Sequence, residues 1–314
     1  MTNNHVGETG LGLHLKTTTQ LAEGLRMVVG LREDHVDMRM TAAVQPLNSG
    51  HAQDSMASPK LALIFGPWAR TEFFVAAGRG FHSNDARGVI DKIDPTTGDA
   101  ASPVPALVAA RGSEVGLRTE AIPGLQSSLS LWRLDSDSEI IYSADSAIGS
   151  TEPNGASKRY GVEWNNHYHG LDWLWIDADL AWTHARYAQQ DANGSPGDLI
   201  PNAIPKVARV GVSVRDLGPW AGMLELRYFS AYPLTQDGTL TAPSALVANL
   251  RLERSITASA DLSLDVLNLF NRKYYDIAYE QDFQAYASSA AVPSGVTVHP
   301  GEPRQLRLTL RWKF

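Results

Sequence analysis

The sequence predicts an all-β fold: the wall of an antiparallel, up-and-down transmembrane barrel of about thirteen strands. Three observations carry this expectation. Apolar and polar residues alternate with a period of two over most of the chain, the alternating runs are long, and short turns alternate with long loops between them. Successive side chains on a strand point to opposite faces, so each run has one apolar and one polar side.

In chain order, Leu25, Met27, Val29 and Leu31 alternate with Arg26, Val28, Gly30 and Arg32. Leu174, Ile176, Ala178, Leu180 and Trp182 alternate with Trp175, Asp177, Asp179, Ala181 and Thr183. Ala208, Val210, Val212 and Val214 follow, then Leu246, Ala248, Leu250 and Leu252, then Leu262, Leu264 and Val266. The clearest run closes the chain: Leu306, Leu308, Leu310, Trp312 and Phe314 alternate with Arg307, Thr309, Arg311 and Lys313. The expected strands are 5–16, 24–38, 57–66, 71–80, 111–121, 124–142, 157–168, 172–187, 204–216, 219–231, 244–256, 259–268 and 303–313.

Short turns are expected at 67–70, 122–124, 169–171, 217–219 and 255–258. Long loops are expected at 40–56, 81–110, 147–156, 189–202, 231–243 and 269–303. An up-and-down barrel collects all short turns at one end and all long loops at the other. A tilted strand crosses a bilayer in ~9–11 residues, whereas globular strands centre on ~5–6. Trp68, Trp132, Tyr168, Trp173, Trp182, Trp220, Tyr228 and Trp312 sit near strand ends, as interfacial girdles require. A half-buried soluble sandwich shows the same alternation, but gives no reason for the strand lengths or the alternating loops.

Composition bounds the function. The chain has 314 residues, 43% of them hydrophobic and 19% charged, with a formal charge of -7 from 27 basic and 34 acidic residues. The acidic balance argues against nucleic acid as a partner, since that binding rests on phosphate neutralisation. Cysteine is absent, which removes disulfides, thiolate nucleophiles and cysteine-ligated metals. No apolar run approaches the ~18 residues of a membrane helix, and Met1-Thr2-Asn3-Asn4-His5 does not open a secretory signal.

The last fifty residues are the most specific. Asp265-Val266-Leu267-Asn268-Leu269-Phe270-Asn271 leads to Lys273-Tyr274-Tyr275-Asp276, a long loop, Gly301-Glu302-Pro303-Arg304, and an alternating strand ending in Phe314. This resembles the C-terminus of TonB-dependent outer-membrane receptors. Ser58-Pro59-Lys60-Leu61, Gly78-Arg79-Gly80-Phe81 with Asn84-Asp85-Ala86-Arg87-Gly88, Glu114-Val115-Gly116-Leu117-Arg118 and Arg159-Tyr160-Gly161-Val162-Glu163 resemble further strand motifs of that family, in the same order.

The resemblance implies a 22-stranded barrel filled by an N-terminal plug that carries the box touching the TonB energy transducer. Neither plug nor box is recognisable here. The expectation is therefore that residues 1–314 are one barrel-domain unit, the C-terminal portion of a receptor in the bacterial cell outer membrane, and an open partial barrel rather than a closed one. The implied function is energised uptake of a scarce extracellular solute, a ferric siderophore first, with no enzymatic step and no cofactor. The implied contacts are outer-membrane lipid, the barrel-assembly machinery reading Leu306, Leu308, Leu310, Trp312 and Phe314, and the transducer only through a plug. The family motif falls on Asn268, Leu269, Phe270, Asn271, Tyr274, Gly301, Pro303 and Arg304. Candidate ligand-binding residues lie in the two longest loops: His82, Asn84, Asp85 and Arg87, and Tyr274, Tyr275, Tyr279 and Gln281. Asn84, Asp85 and Arg87 read equally well as a hydrogen-bonded loop support, and Tyr274 and Tyr275 as interfacial anchors.

Other chemistry is weakly signalled. His167 and His169 share a strand face, which suits either a metal or a solvated pair. Asp177 and Asp179 lie ~6–7 Å apart on one face, placed for acid–base work or for pairing with arginine, and pairing is favoured in a barrel. His82-Ser83-Asn84-Asp85 holds triad residue types, but adjacency is no sign of a triad. The competing functions are a smaller self-contained barrel acting as a pore or membrane hydrolase, and a soluble β-sandwich binding module.

Overall fold

The computed structural model describes residues 3–94, 98–101, 104–143, 150–188, 197–282 and 294–313. Phe314 lies outside them. Nineteen strands occur among the described residues: β1 Asn4–Ala22, β2 Leu25–Ala42, β3 Gly50–Trp68, β4 Thr71–Ser83, β5 Leu107–Thr119, β6 Leu125–Ser136, β7 Glu139–Ser143, β8 Ser150–Asn154, β9 Ser157–Leu171, β10 Leu174–Tyr187, β11 Lys206–Leu217, β12 Trp220–Phe229, β13 Tyr232–Pro233, β14 Thr241–Ala242, β15 Ala245–Thr257, β16 Ala260–Leu267, β17 Tyr275–Asp282, β18 Ser294–Pro300 and β19 Gln305–Trp312. One short helix, α1 (Ala86–Ile90), and a single 3-10 turn at Pro46–Asn48 complete the elements.

Thirteen strands form one antiparallel sheet in the order β1-β2-β3-β4-β5-β6-β9-β10-β11-β12-β15-β16-β19. Each expected strand has its counterpart. Six short turns lie at one end of the sheet and six long connections at the other. β1 and β19 are its two edges, each with one neighbour, and both stand exposed along nearly their whole length. Because thirteen is odd, the two edge strands run in the same direction. Joining them directly would make a parallel seam in an otherwise antiparallel wall, and parallel pairing is slightly weaker.

Register converts the sequence alternation into two continuous faces. Directly opposite residues share a face, and one such row reads Val75, Val115, Leu131, Val162 and Trp182 across five strands. Leu252, Leu264 and Leu308 continue the pattern at the other edge. These side chains stay open: Val75 is 49% exposed, Leu131 52% and Leu308 69%. A sandwich would bury them against a second sheet ~10 Å away. Among the described residues the only other sheets are three two-stranded ones.

The opposite face is polar and ion-paired. Glu72 bridges Arg26 and Arg118. Arg209 lies 2.8 Å from Glu225 and 3.7 Å from Asp179, and Arg251 lies 3.5 Å from Asp265. Such charges have partners or water on this face, whereas facing hydrocarbon would cost an arginine ~2–4 kcal/mol at the midplane.

Several expectations are corrected. β1 runs on past Lys16 to Ala22, pairing through Gln20↔Arg26 beside the short turn, and β2 and β3 run past their expected long-loop ends, because backbone pairing continues to Asn4↔Ala42 and Met40↔Gly50 after the apolar alternation fades. The expected strand 124–142 stops at Ser136, where the Ser136 hydroxyl donates to the Ser138 carbonyl at 2.7 Å and the chain leaves for the β7–β8 hairpin. The loops at 231–243 and 269–303 hold hairpins of their own. Trp132 is no girdle residue: it lies on the polar face over Gly161, where a Cβ would fall 2.8 Å from its ring. Trp68, Trp173, Trp220 and Trp312 do sit at the short-turn end, between 43% and 57% exposed.

The face assignment generates a stability contrast. Val115→Arg, near mid-height on the apolar face, is expected to lower stability in bilayers by ~2–4 kcal/mol. Ser130→Arg, on the polar face beside Glu163, is expected to cost far less. Urea unfolding of both variants in lipid vesicles measures the difference.

Candidate functional site

The long-loop end carries the candidate ligand residues. After β4 the chain turns back over the polar face. Asp85 caps α1, its carboxylate accepting from the Arg87 backbone N–H at 2.8 Å and from the Arg87 guanidinium at 2.8 and 2.7 Å. Asn84 is buried, and its amide donates to the Pro105 carbonyl at 2.7 Å. Ala86 and Ile90 pack with Met38, Met40 and Ala106 in the tightest apolar cluster. Glu8 accepts from the Ala86 N–H at 3.0 Å. Asn48, buried in the β2–β3 connection, accepts from the N–H groups of Lys92 and Ile93 at 3.0 and 2.9 Å and donates to the Ile93 carbonyl at 2.7 Å. The described part of this loop, 84–94 and 104–106, therefore packs as a cover on β1–β3, held by Asn84 and Asn48. His82 is half-buried just before it, with Nε2 enclosed and unpartnered.

Two carboxyls of this loop are displaced in opposite directions. Hydrogen bonds from Arg87 hold Asp85 below the usual carboxylate range, while burial pushes Asp91 up.

The second set lies on the other half of the sheet. The Asn268 amide is buried, donating to the Arg272 and Glu302 carbonyls at 2.9 and 3.0 Å and accepting from the Arg272 N–H at 2.8 Å. The Asn271 side-chain Oδ1 accepts from the Arg304 backbone N–H at 3.0 Å. Both residues adopt a left-handed backbone, φ 48° and 49°, which asparagine tolerates better than most residues. The Tyr274 ring covers Gly301, leaving no room for a Cβ there. The motif thus ties the end of β16 to the start of β19 across a 37-residue excursion from 268 to 304. Beyond it, Ala278 on the β17–β18 hairpin packs with Leu234 and Ala242 of the β12–β15 connection. Tyr275 is 41% exposed; Tyr279 and Gln281 are half-buried.

The polar face near the short turns holds the remaining candidates. His167 Nδ1 lies 2.5 Å from an Asp177 oxygen, and its ring stacks at 5.3 Å on His169. Asp179 faces Arg209. His167, Asp177 and Asp179, with Glu72, Arg118 and Asn165, line a groove of about 610 Å³. Among the described residues no three His, Asp or Glu side chains are arranged to hold a metal ion. The structure keeps the two loop sets on opposite halves of the sheet. Sequence reading missed Glu8, Asn48, Arg26 and Glu72; strand parity, followed through β2 and β4, was the signal that places the last two on the polar face.

The chain matches the family model described as TonB dependent receptor-like, beta-barrel, over residues 1–271. It is 22% identical over 337 aligned positions to the metal-pseudopaline receptor CntO of Pseudomonas aeruginosa, covering 99% of this chain and 42% of that one. The siderophore receptor PiuA from Acinetobacter baumannii superposes with a TM-score of 0.76 at 13% identity, over 99% of this chain and 44% of PiuA. The ferric yersiniabactin uptake receptor FyuA from Yersinia pestis gives a TM-score of 0.77 at 14% identity, over 100% of this chain and 47% of FyuA. The chain spans about half the length of the proteins it matches, and the likeness to solved structures establishes a shared fold: an open, partial receptor barrel.

Two outcomes follow from the loop geometry. Asn268→Ala strips a buried donor–acceptor set from three backbone groups and is expected to cost ~2–3 kcal/mol, while Asn271→Ala, on an exposed residue, costs ~1 kcal/mol through its left-handed backbone; chemical denaturation in detergent compares them. For loop 83–107, falling pH first protonates Asp91, relieving its burial, and then protonates Asp85, losing the cap that a depressed carboxyl supplies. Protection factors for amide exchange at Arg87 and Val89, corrected for the intrinsic pH dependence, are expected to be highest at mildly acidic pH and lower both at neutral pH and below the ordinary carboxylate range.

Proposed function

Since the chain belongs to the TonB-dependent receptor family, a family of receptors and transporters rather than enzymes, we propose that it forms the outer-loop-bearing barrel wall of a receptor that takes up a ferric siderophore. The supporting observation is the division of one sheet into an open apolar face and an ion-paired polar face, with packed loops at one end only. The apolar face contacts outer-membrane lipid. The long loops face outward from the cell, and the short turns face the periplasm, as in other such barrels.

In this reading residues 1–314 act as one barrel unit without a plug of its own. The wall is completed by an odd number of further strands, so that both seams with β1 and β19 are antiparallel. The plug that completes the lumen links it to the energy transducer. The exposed row of Leu306, Leu308, Leu310 and Trp312 offers its edge to the barrel-assembly machinery by strand pairing.

The solute binds at the long-loop end, between the loops and the plug. Asp85 and Arg87 pair with each other and Asn84 with the loop backbone, and His82 Nε2 is enclosed, so Tyr275, 41% exposed, and Gln281 on the same hairpin are the residues of the two sets best placed to meet it. PiuA and FyuA, by their descriptions a siderophore receptor and a ferric yersiniabactin receptor, favour a ferric chelate. CntO, described as a metal-pseudopaline receptor, favours a chelate of another metal as the second reading.

Uptake of radioactive iron from defined ferric siderophores, in a receptor-null strain expressing the full-length receptor, tests the assignment. Energy-dependent iron uptake is expected. Uptake of a nickel, zinc or copper chelate without iron favours the second reading. The 314-residue chain alone is expected to restore no energised uptake; growth restored by it alone contradicts the division of labour between wall and plug.

A further inference from the structure

One row of the apolar face is charged. Register places Arg79 opposite Arg111, Arg111 opposite Asp135, Asp135 opposite Lys158 and Lys158 opposite Arg186, across five adjacent strands. Each is four residues from a member of the Val75–Val115–Leu131–Val162–Trp182 row, on the long-loop side, and so shares its face. Like charges directly opposite one another on a sheet are destabilising, and Arg79–Arg111 and Lys158–Arg186 are two such pairs, one on each side of Asp135.

Local carboxylates offset part of this charge. Asp137 lies 3.2 Å from Arg111, Asp135 3.1 Å from Arg133 and Asp198 2.8 Å from Arg186. Arg79, Lys158 and Lys206, the last opposite Trp182, have no carboxylate within ion-pair distance among the described residues. Six cations therefore meet three carboxylates on one patch.

Directly below is a groove of about 410 Å³, lined by Leu129, Val162, Trp164, Leu180, Trp182 and Tyr228, with Lys206 at its rim. From Thr71 at the short turn to Arg79 is ~26 Å of strand. At a tilt of 35–45° this is roughly 20 Å of height, close to the upper margin of a ~25 Å apolar band. Charge and groove thus lie at headgroup and acyl-chain depth of the same leaflet.

We propose that this patch binds a phosphorylated lipid of the leaflet on the long-loop side, its phosphate across the Arg79–Arg111–Lys158–Arg186 row and an acyl chain in the Trp164–Trp182 groove. The inference rests on the membrane-wall reading above. A phosphate resolves the observed repulsion: it supplies charge of the missing sign and accepts forked hydrogen bonds from guanidinium groups. The groove supplies what a soluble anion would not use.

The test is binding of purified diphosphoryl lipid A to the full chain in neutral detergent, followed by native mass spectrometry and tryptophan fluorescence, with its dephosphorylated form and inorganic phosphate as separate arms. K158Q and K206Q are each expected to weaken binding about fivefold, and about twenty-fivefold together, at ~1 kcal/mol per basic residue. Without lipid, K158Q is expected to raise the unfolding temperature, because its repulsion with Arg186 is gone; with lipid the order reverses. If K158Q fails to fold, K206Q carries the comparison. Unchanged binding in the folded variants, or equal binding of the dephosphorylated form, overturns the proposal. Saturation by inorganic phosphate alone also overturns it, in favour of a free-anion site. Insertion into phosphatidylcholine vesicles is scored independently: a chain that stays in the aqueous phase overturns the membrane reading with it, whereas one that inserts but ignores phosphate overturns the lipid site alone.

Discussion

Everything in this structure depends on a single sheet having to satisfy two solvents at once. Backbone groups are paired between neighbours along thirteen strands, all but the outer edges of β1 and β19, so the sheet needs no second layer for its hydrogen bonds. Its side chains do need two environments. Val75, Val115, Leu131 and Leu308 gain little unless hydrocarbon meets them, and Glu72, Arg209 and Arg251 are costly unless water or each other meets them. Because the side-chain period is two, a one-residue slip in any strand would exchange these sets. The register is therefore fixed along every strand by the same rule.

The loop end obeys a different rule. There the chain buries a small apolar core of its own, with Met38, Met40, Ala86 and Ile90 at its centre, and uses buried asparagines to hold irregular backbone. Asn48, Asn84 and Asn268 each spend their amides on main-chain groups that no strand partner reaches. Asparagine suits this because one side chain offers both donor and acceptor. The result, over the described loop segments, is firm backbone above the polar face, a suitable support for residues such as Tyr275 that meet solute in the proposed reading.

The thirteen wall strands were legible in the sequence because their alternation is dictated by the two solvents. What the sequence did not show lies where that dictation stops. The extensions of β1 beyond Lys16, of β2 beyond Met38 and of β3 before Ala57 carry mixed residues, so nothing in their pattern marks them as strand. The hairpins β7–β8 and β17–β18 are separate two-stranded sheets outside the wall, with strands of five to eight residues set within or beside the long loops. Trp132 was misplaced by residue type alone; counting parity from Leu131, its neighbour on the apolar face, turns it inward. The motif Asn268 to Asn271 was visible as a pattern, but its role as a tie between Arg272, Glu302 and Arg304 needed the backbone. For Asp85 and Arg87 the sequence left ligand contact and loop support equally open, and the coordinates show them as each other's partners.

The central claim is that alternate residues of the wall face hydrocarbon and water. Spin labels placed singly at Leu129, Ser130, Leu131 and Trp132 in lipid vesicles test it most directly, through relaxation by oxygen, which concentrates in hydrocarbon, and by a water-soluble nickel complex. The account predicts strong oxygen and weak nickel relaxation at 129 and 131, with nickel relaxation dominant at 130 and weaker on the covered site at 132. Uniform nickel accessibility along all four positions, or an alternation of the opposite phase, would contradict it.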